Sequence, residues 1–126
     1  MAETIDQSIL VVDDNPDDRK LFKRMLEGAG YSVVESSSGR EALTAVEKTR
    51  FDLMILDLSM PDLDGFDVLR AVRSKQPELK IVVVSGFLKG KMLEPAKSLG
   101  ANATLDKNLA SSVLVPIVSN LLKNPK

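Results

Sequence analysis

The stretch MILDLSMPDLDG, residues 54–65, decides the reading of this chain. An apolar run ends on one aspartate, Asp57, and turn-forming proline, aspartate and glycine residues follow it. A continuous rather than alternating apolar run is the pattern of a strand covered on both faces. A carboxylate at the end of such a strand is costly unless something pairs with it. Two questions follow: which strands flank this one, and what stands opposite Asp57.

Outward from that point, short apolar runs alternate with amphipathic segments. SILVV (8–12) predicts a first strand. In the segment after it, Asn15 can cap a helix and Pro16 suits its first turn. Leu21, Phe22, Met25, Leu26 and Ala29 then form one apolar stripe, and Gly28 with Gly30 supplies the stop. YSVVE (31–35) predicts a second strand. Ser38 and Glu41 form a capping box for a helix with Leu43 and Val46 on its inner face. DLMIL (52–56) is the third strand. Asp64 can cap the next helix, whose Phe66, Leu69 and Val72 face inward. KIVVV (80–84) is the fourth strand, a helix ends near Leu99 and Gly100, and NATL (102–105) is a fifth strand. SSVLVPIVSNLL is the last helix.

Five strand–helix units with apolar strands predict an α/β fold: a parallel sheet between two helical layers. In such sheets ligands bind beyond the carboxyl ends of the strands. Strand 1 ends in Asp13 and Asp14, strand 3 in Asp57 and strand 4 in Ser85; Lys107 follows strand 5. If strands 1 and 3 are neighbours, three carboxylates converge and repel one another. A magnesium ion resolves that repulsion, since it accepts carboxylates and completes its shell with water and phosphate oxygens. Lys107 and Ser85 add a positive charge and a hydroxyl, which makes a clamp for a phosphoryl group. Asp57, facing that clamp, can act as a carboxylate nucleophile and form an aspartyl phosphate.

Composition narrows the alternatives. The chain has 126 residues, 44% hydrophobic and 28% charged, the balance of one globular domain, here taken as 1–126. It contains no cysteine and no histidine, which excludes disulfides, thiolate chemistry and imidazole catalysis. The net charge is -1 with no basic run, so no direct nucleic-acid surface is indicated. No apolar stretch is long enough to cross a membrane and the first residues do not form a signal peptide, so a cytoplasmic location without membrane insertion is expected. Taken singly, each site residue has a plainer reading. Asp13 and Asp14 suit a helix start, Ser85 a turn before Gly86, and Lys107 a solvated surface. Asp17 and Asp18 are read as helix-start acids without chemistry. A flavodoxin-like cofactor binder needs hydrogen-bond donors after strand 1, where DDNPDD stands. A phosphatase of the aspartyl-nucleophile type usually carries an acid where Ser59 stands.

LVVDDNP, MILDLSMPDLDG, VVVSG and LGANATLDK together resemble the receiver domain of bacterial two-component response regulators. The resemblance runs over nearly the whole chain, with the pieces in family order. It implies a flavodoxin-like (βα)5 fold with strand order 2-1-3-4-5. It implies that Asp57 is the phosphoacceptor, served by a sensor histidine kinase or a histidine phosphotransfer protein. Asp13 and Asp14 become the acidic pair, with Asp14 the more direct magnesium ligand and the Ser59 carbonyl a further one. Ser85 becomes the switch hydroxyl and Lys107 the phosphate-binding lysine. The implied role is a phosphoprotein switch in signal transduction or a phosphorelay, not a dedicated enzyme. Its output partner is not specified, a homodimer is left open, and so is membership of a longer hybrid kinase.

Three departures from the family pattern carry expectations. Asn108 stands where the family usually has a proline after a cis bond. A cis bond before a non-proline residue costs about 3–4 kcal/mol, so a trans Lys107–Asn108 bond is predicted. Thr104 replaces the aromatic switch residue of strand 5. Pro95 and Pro116 fall inside expected helices, which are predicted to start late or bend. Ser59 and Phe87 flank the expected path of a hydrolytic water, and neither is a general base, so a long-lived phospho-form is predicted.

Overall fold

Strands and helices alternate along the chain of this computed structural model, which describes residues 7–58, 65–86 and 96–123. The order is β1 (Ser8–Val12), α1 (Pro16–Gly28), β2 (Ser32–Ser36), α2 (Gly39–Lys48), β3 (Leu53–Asp57), α3 (Gly65–Lys75) and β4 (Lys80–Ser85). Helix α4 is described over residues 96–98. Then come β5 (Ala103–Asp106), a 3-10 turn (Lys107–Leu109) and α5 (Ala110–Lys123). All strand pairs are parallel, in the order β2-β1-β3-β4-β5. β1 and β3 are therefore neighbours, the condition on which the acidic cluster depends.

The apolar strands are continuous because each serves two cores. Leu10, Val12, Met54, Leu56, Ile81 and Val83 pack on one face with Ala42, Val46, Val68, Leu69 and Val72 of α2 and α3. Ile9, Val11, Leu53, Ile55, Val82 and Val84 pack on the other with Phe22, Leu26, Leu114 and Val118 of α1 and α5. Successive strand side chains point to opposite faces, so every residue of β1 after Ser8 is buried. Buried polar residues then stand at the carboxyl ends of the strands: Asp13 just past β1, Ser36 of β2, Asp57 of β3 and Ser85 of β4.

The helix ends follow from local chemistry. Asn15 Oδ1 accepts from the N–H groups of Asp17 (2.9 Å) and Asp18 (3.1 Å) and so starts α1. Gly30 takes a positive φ of 101°, and Gly30 and Tyr31 N–H groups close back on Glu27 and Leu26. Ser38 Oγ accepts from Glu41 N–H, while Glu41 returns its carboxylate to Ser37 N–H rather than to Ser38. In α1, Phe22 and Leu26 are buried and Met25 packs beside them. Leu21 is 42% exposed and Ala29 is the C-cap, so the inward stripe is narrower than the sequence suggests.

Several strand boundaries move by one residue, because a backbone or side-chain group at the boundary makes another contact. Tyr31 N–H closes α1, so β2 starts at Ser32. Asp52 Oδ2 accepts from Ser8 N–H at 2.7 Å, so β3 starts at Leu53 and includes Asp57. β4 runs one residue further than predicted, to Ser85, which pairs with Asp106. Asn102 Oδ1 accepts from Ile81 N–H and from Arg73, so β5 starts at Ala103. Arg73 also donates to the carbonyls of Gln76, Pro77, Leu79 and Gly100, tying α3 to the chain around α4 and β4.

Helix α5 does not start late: its first turn precedes the proline, and the helix continues past it. It begins at Ala110 and runs through Pro116. Its buried residues, Ala110, Leu114 and Val118, recur every four positions, and Pro116 lies on the exposed side. The carbonyl that Pro116 leaves without a helical donor therefore faces water rather than the core. The Lys107–Asn108 bond is trans, as predicted. Asn108 N–H donates to Asp106 Oδ1 at 2.9 Å and starts the 3-10 turn, a bond a proline could not make. Asp64, Phe87 and Pro95 lie outside the described residues.

Candidate functional site

Three strands end together at one edge of the sheet. β1 delivers Asp13 and Asp14, β3 delivers Asp57, and β4 delivers Ser85. Asp13 N–H donates to Ser36 O, and Leu58 N–H donates to Val84 O, so the backbone just past each strand is still held in the sheet. One carboxylate oxygen from each of Asp13, Asp14 and Asp57 lies within 4.8 Å of the others. Asp13 and Asp57 are buried and Asp14 is exposed. The cluster therefore opens to solvent on the Asp14 side.

Lys107 closes the opposite side. Its Nζ lies 2.9 Å from Asp13 Oδ2, 3.0 Å from Asp18 Oδ2 and 3.4 Å from Asp57 Oδ2. Its stem passes over Gly86, where an added Cβ would stand 3.2 Å from Lys107 Cβ. The absence of a side chain at Gly86 thus lets the lysine lie flat against the end of β4. Gly65 is tighter still: a Cβ there would stand 2.6 Å from Leu58 Cα. That contact packs the start of α3 against the residue following Asp57, and only glycine permits it. Arg19 supports the cluster from behind, donating to Asp13 O at 2.8 Å and pairing with Glu35 at 2.8 Å.

Charge is not balanced inside this cluster. Burial, above all, pushes the Asp13 carboxyl up from 3.8 to about 6. Contacts with Lys107 and the Asn15 N–H oppose the rise, and the charge of Asp57 adds to it. Burial also works against the Lys107 ammonium, but Asp13, Asp18 and Asp57 outweigh it and hold that group above the usual lysine range. Asp13 Oδ2 is buried and, although Lys107 is close, the alignment leaves it without a hydrogen bond. An unsatisfied carboxylate oxygen facing two further carboxylates is the donor set of a hard divalent cation. The residues present fit magnesium.

The sign of the Asp13 shift gives an expected pH dependence for protein stripped of divalent cations. A carboxyl whose folded value lies above its unfolded value stabilises the fold below the unfolded value, here 3.8. That contribution is lost as pH rises through about 6. Thermal melts in chelator should therefore show a gain of about 1 kcal/mol from this group between about pH 7.5 and about pH 5, out of about 3 kcal/mol over its whole range. Saturating magnesium should remove the gain, because a cation favours the ionised carboxylate. A metal-free protein equally stable at both pH values would contradict the burial of a charged Asp13.

The structure brings together Asp13, Asp14, Asp57 and Lys107, and places Ser85, buried, at the end of the strand beside Asp57. Ser59, the further magnesium ligand implied by the resemblance, lies outside the described residues, as does Phe87. Asp18 is the residue that the sequence reading passed over. It lies four positions before Phe22, so one helical turn extends the buried face of α1 to the strand ends. That spacing was visible in the sequence.

Comparison with known proteins agrees with this arrangement. The family model described as response regulator receiver domain matches residues 9–119. The sensor protein EvgS of Escherichia coli is 38% identical over 114 residues, covering 90% of this chain and 10% of that protein. The chain thus spans about a tenth of the length of that relative. A response regulator receiver domain protein from Methanospirillum hungatei superposes with a TM-score of 0.90 at 26% identity, covering 96% of this chain and 97% of that one. The response regulator TrrA of Thermotoga maritima, in complex with Mg2+ and BeF, superposes with a TM-score of 0.83 at 30% identity, covering 91% and 98%. With the sheet order, the acidic cluster and the lysine in place, the chain belongs to the receiver domain family of two-component response regulators.

Proposed function

We propose that Asp57 accepts a phosphoryl group and that the whole chain works as one phosphorylation switch. One observation carries the reading: Asp57 lies between an ammonium group at 3.4 Å and two further carboxylates that can share a cation with it. Asp13, Asp14 and Asp57 would hold magnesium, with the Ser59 carbonyl as a further ligand. When bound there, magnesium supplies positive charge to the phosphoryl oxygens and relieves the repulsion among the carboxylates.

A carboxylate oxygen of Asp57 attacks phosphorus, and the bond from phosphorus to the donor breaks. The donor keeps that electron pair, as acetate when acetyl phosphate is used or as imidazole when the donor is a phosphohistidine. Lys107 neutralises charge on the transferred group, and Ser85 donates a hydrogen bond to it. The physiological donor is proposed to be a histidine kinase or a histidine phosphotransfer protein, in the cytoplasm. Support for the chemistry comes from the Thermotoga maritima neighbour, since a beryllium fluoride is tetrahedral and stands in for a phosphoryl group. The output is a change in partner binding, so the protein is a switch rather than an enzyme that turns over a separate substrate.

The test is intact-mass measurement after incubation with acetyl phosphate, with and without magnesium. One added phosphoryl group is expected with the cation and none in chelator; equal incorporation in both would refute the metal's role. Asp14→Ala sharpens it. Because Asp14 is exposed and repelled by its neighbours, the metal-free variant should melt no lower than the wild type. Its magnesium affinity, by calorimetry, should fall by about tenfold or more. A clearly lower melting temperature with unchanged magnesium affinity would return Asp14 to a helix-start role.

A further inference from the structure

Resting on the acceptor role of Asp57, we infer that Asp18 is a positioning residue that draws the Lys107 ammonium partly away from Asp57. Three carboxylates share that one ammonium, and Asp57 has the longest contact, 3.4 Å against 2.9 Å for Asp13 and 3.0 Å for Asp18. Asp13 and Asp57 belong to the cation cluster, while Asp18 is outside it. Asp18 is thus the one of the three whose pull on Lys107 does not also serve the cation.

Its placement is built into the fold. Asn15 caps α1 by accepting from Asp18 N–H at 3.1 Å, which fixes the backbone of the first turn. From there the carboxylate, 37% exposed, reaches the ammonium from the solvent side. Lys107 is only 19% exposed, so the pair sits at the rim of the site and not in open water. Asp17, the neighbouring acid of the same turn, has no such contact: among the described residues, the carboxylates that meet Lys107 are those of Asp13, Asp18 and Asp57.

Two consequences follow, of opposite sign. An ammonium held toward Asp18 competes less with a cation for Asp13 and Asp57, so Asp18 favours magnesium binding. The same ammonium is less available to a phosphoryl group on Asp57, so Asp18 opposes retention of that group. Removing the charge while keeping the shape, as in Asp18→Asn, should therefore weaken magnesium binding and strengthen binding of a phosphoryl mimic. A residue that merely supports α1 would weaken both.

The test uses the full chain. Magnesium affinity is read by calorimetry in the absence of any phosphodonor, and affinity for beryllium fluoride by fluorine NMR at saturating magnesium. Asp18→Asn should weaken the first and tighten the second, each by about three- to five-fold, the range of a partly exposed ion pair. Asp17→Asn, the same loss of charge on the same turn, should change each far less. Movement of both affinities in one direction, no change in either, or equal shifts from Asp17→Asn would overturn the role of Asp18. A wild-type protein that binds no beryllium fluoride at saturating magnesium would overturn the acceptor reading itself, and the role of Asp18 with it. The wild-type titration therefore separates the two failures.

Discussion

Asp57→Asn is expected to abolish phosphoryl incorporation from acetyl phosphate while leaving the fold intact. The side chain is buried at the end of β3 and paired in register with Val84, so an amide of the same shape keeps the packing. What it removes is the nucleophile: an amide oxygen is too weak to attack phosphorus, and the chain has no histidine or cysteine to take its place. It also removes one of the repelling carboxylates and introduces N–H donors beside Asp13 Oδ2, which lacks a hydrogen bond. Metal-free Asp57→Asn should therefore be as stable as the wild type or more stable, by about 1 kcal/mol. Intact mass and thermal melting read both effects. Incorporation equal to that of the wild type would place the acceptor elsewhere.

Lys107→Ala is expected to have the largest effect on stability. Its ammonium is the one cation shared by Asp13, Asp18 and Asp57, and two of those carboxylates are buried. Removing one partner of a buried ion pair typically costs about 3–5 kcal/mol. Here the loss should be nearer 2–3 kcal/mol, roughly a 10 °C fall in melting temperature, since Asp13 can take up a proton and Asp18 faces solvent. Magnesium should restore much of it and should bind the variant more tightly than the wild type, because the competing ammonium is gone. Incorporation from acetyl phosphate should fall by about a hundredfold or more, the usual cost of losing a charge-stabilising donor. Unchanged stability together with weaker magnesium binding would contradict the shared-ammonium geometry.

The same residues show how far the sequence can be read. Continuous apolar runs such as LMIL mark strands with two buried faces, and both cores confirm it. The acidic ends of β1 and β3 were legible because a carboxylate after such a run demands a partner. Strand boundaries were less legible, because Asp52, Asn102 and Tyr31 spend backbone or side-chain groups on contacts 21 to 44 residues away or on the preceding helix. Pro116 did not delay the start of α5, because its penalty depends on which side of the helix faces water, a fact that only the tertiary packing fixes. Asp18 looked like a helix-start acid because it is one; its second role needs Lys107, 89 positions later, to arrive at the same rim. The trans bond before Asn108 was legible from residue type alone, whereas the Asp106 cap that uses its N–H was not.

The most direct measurement is chemical mapping of the phosphorylated residue. Borohydride reduces an aspartyl phosphate to homoserine, with loss of phosphate, and leaves free aspartate unchanged. After treatment with acetyl phosphate and magnesium, reduction and peptide sequencing by mass spectrometry should find homoserine at position 57 and aspartate at positions 13, 14 and 18. Homoserine at one of those other positions, or at none, would contradict the account.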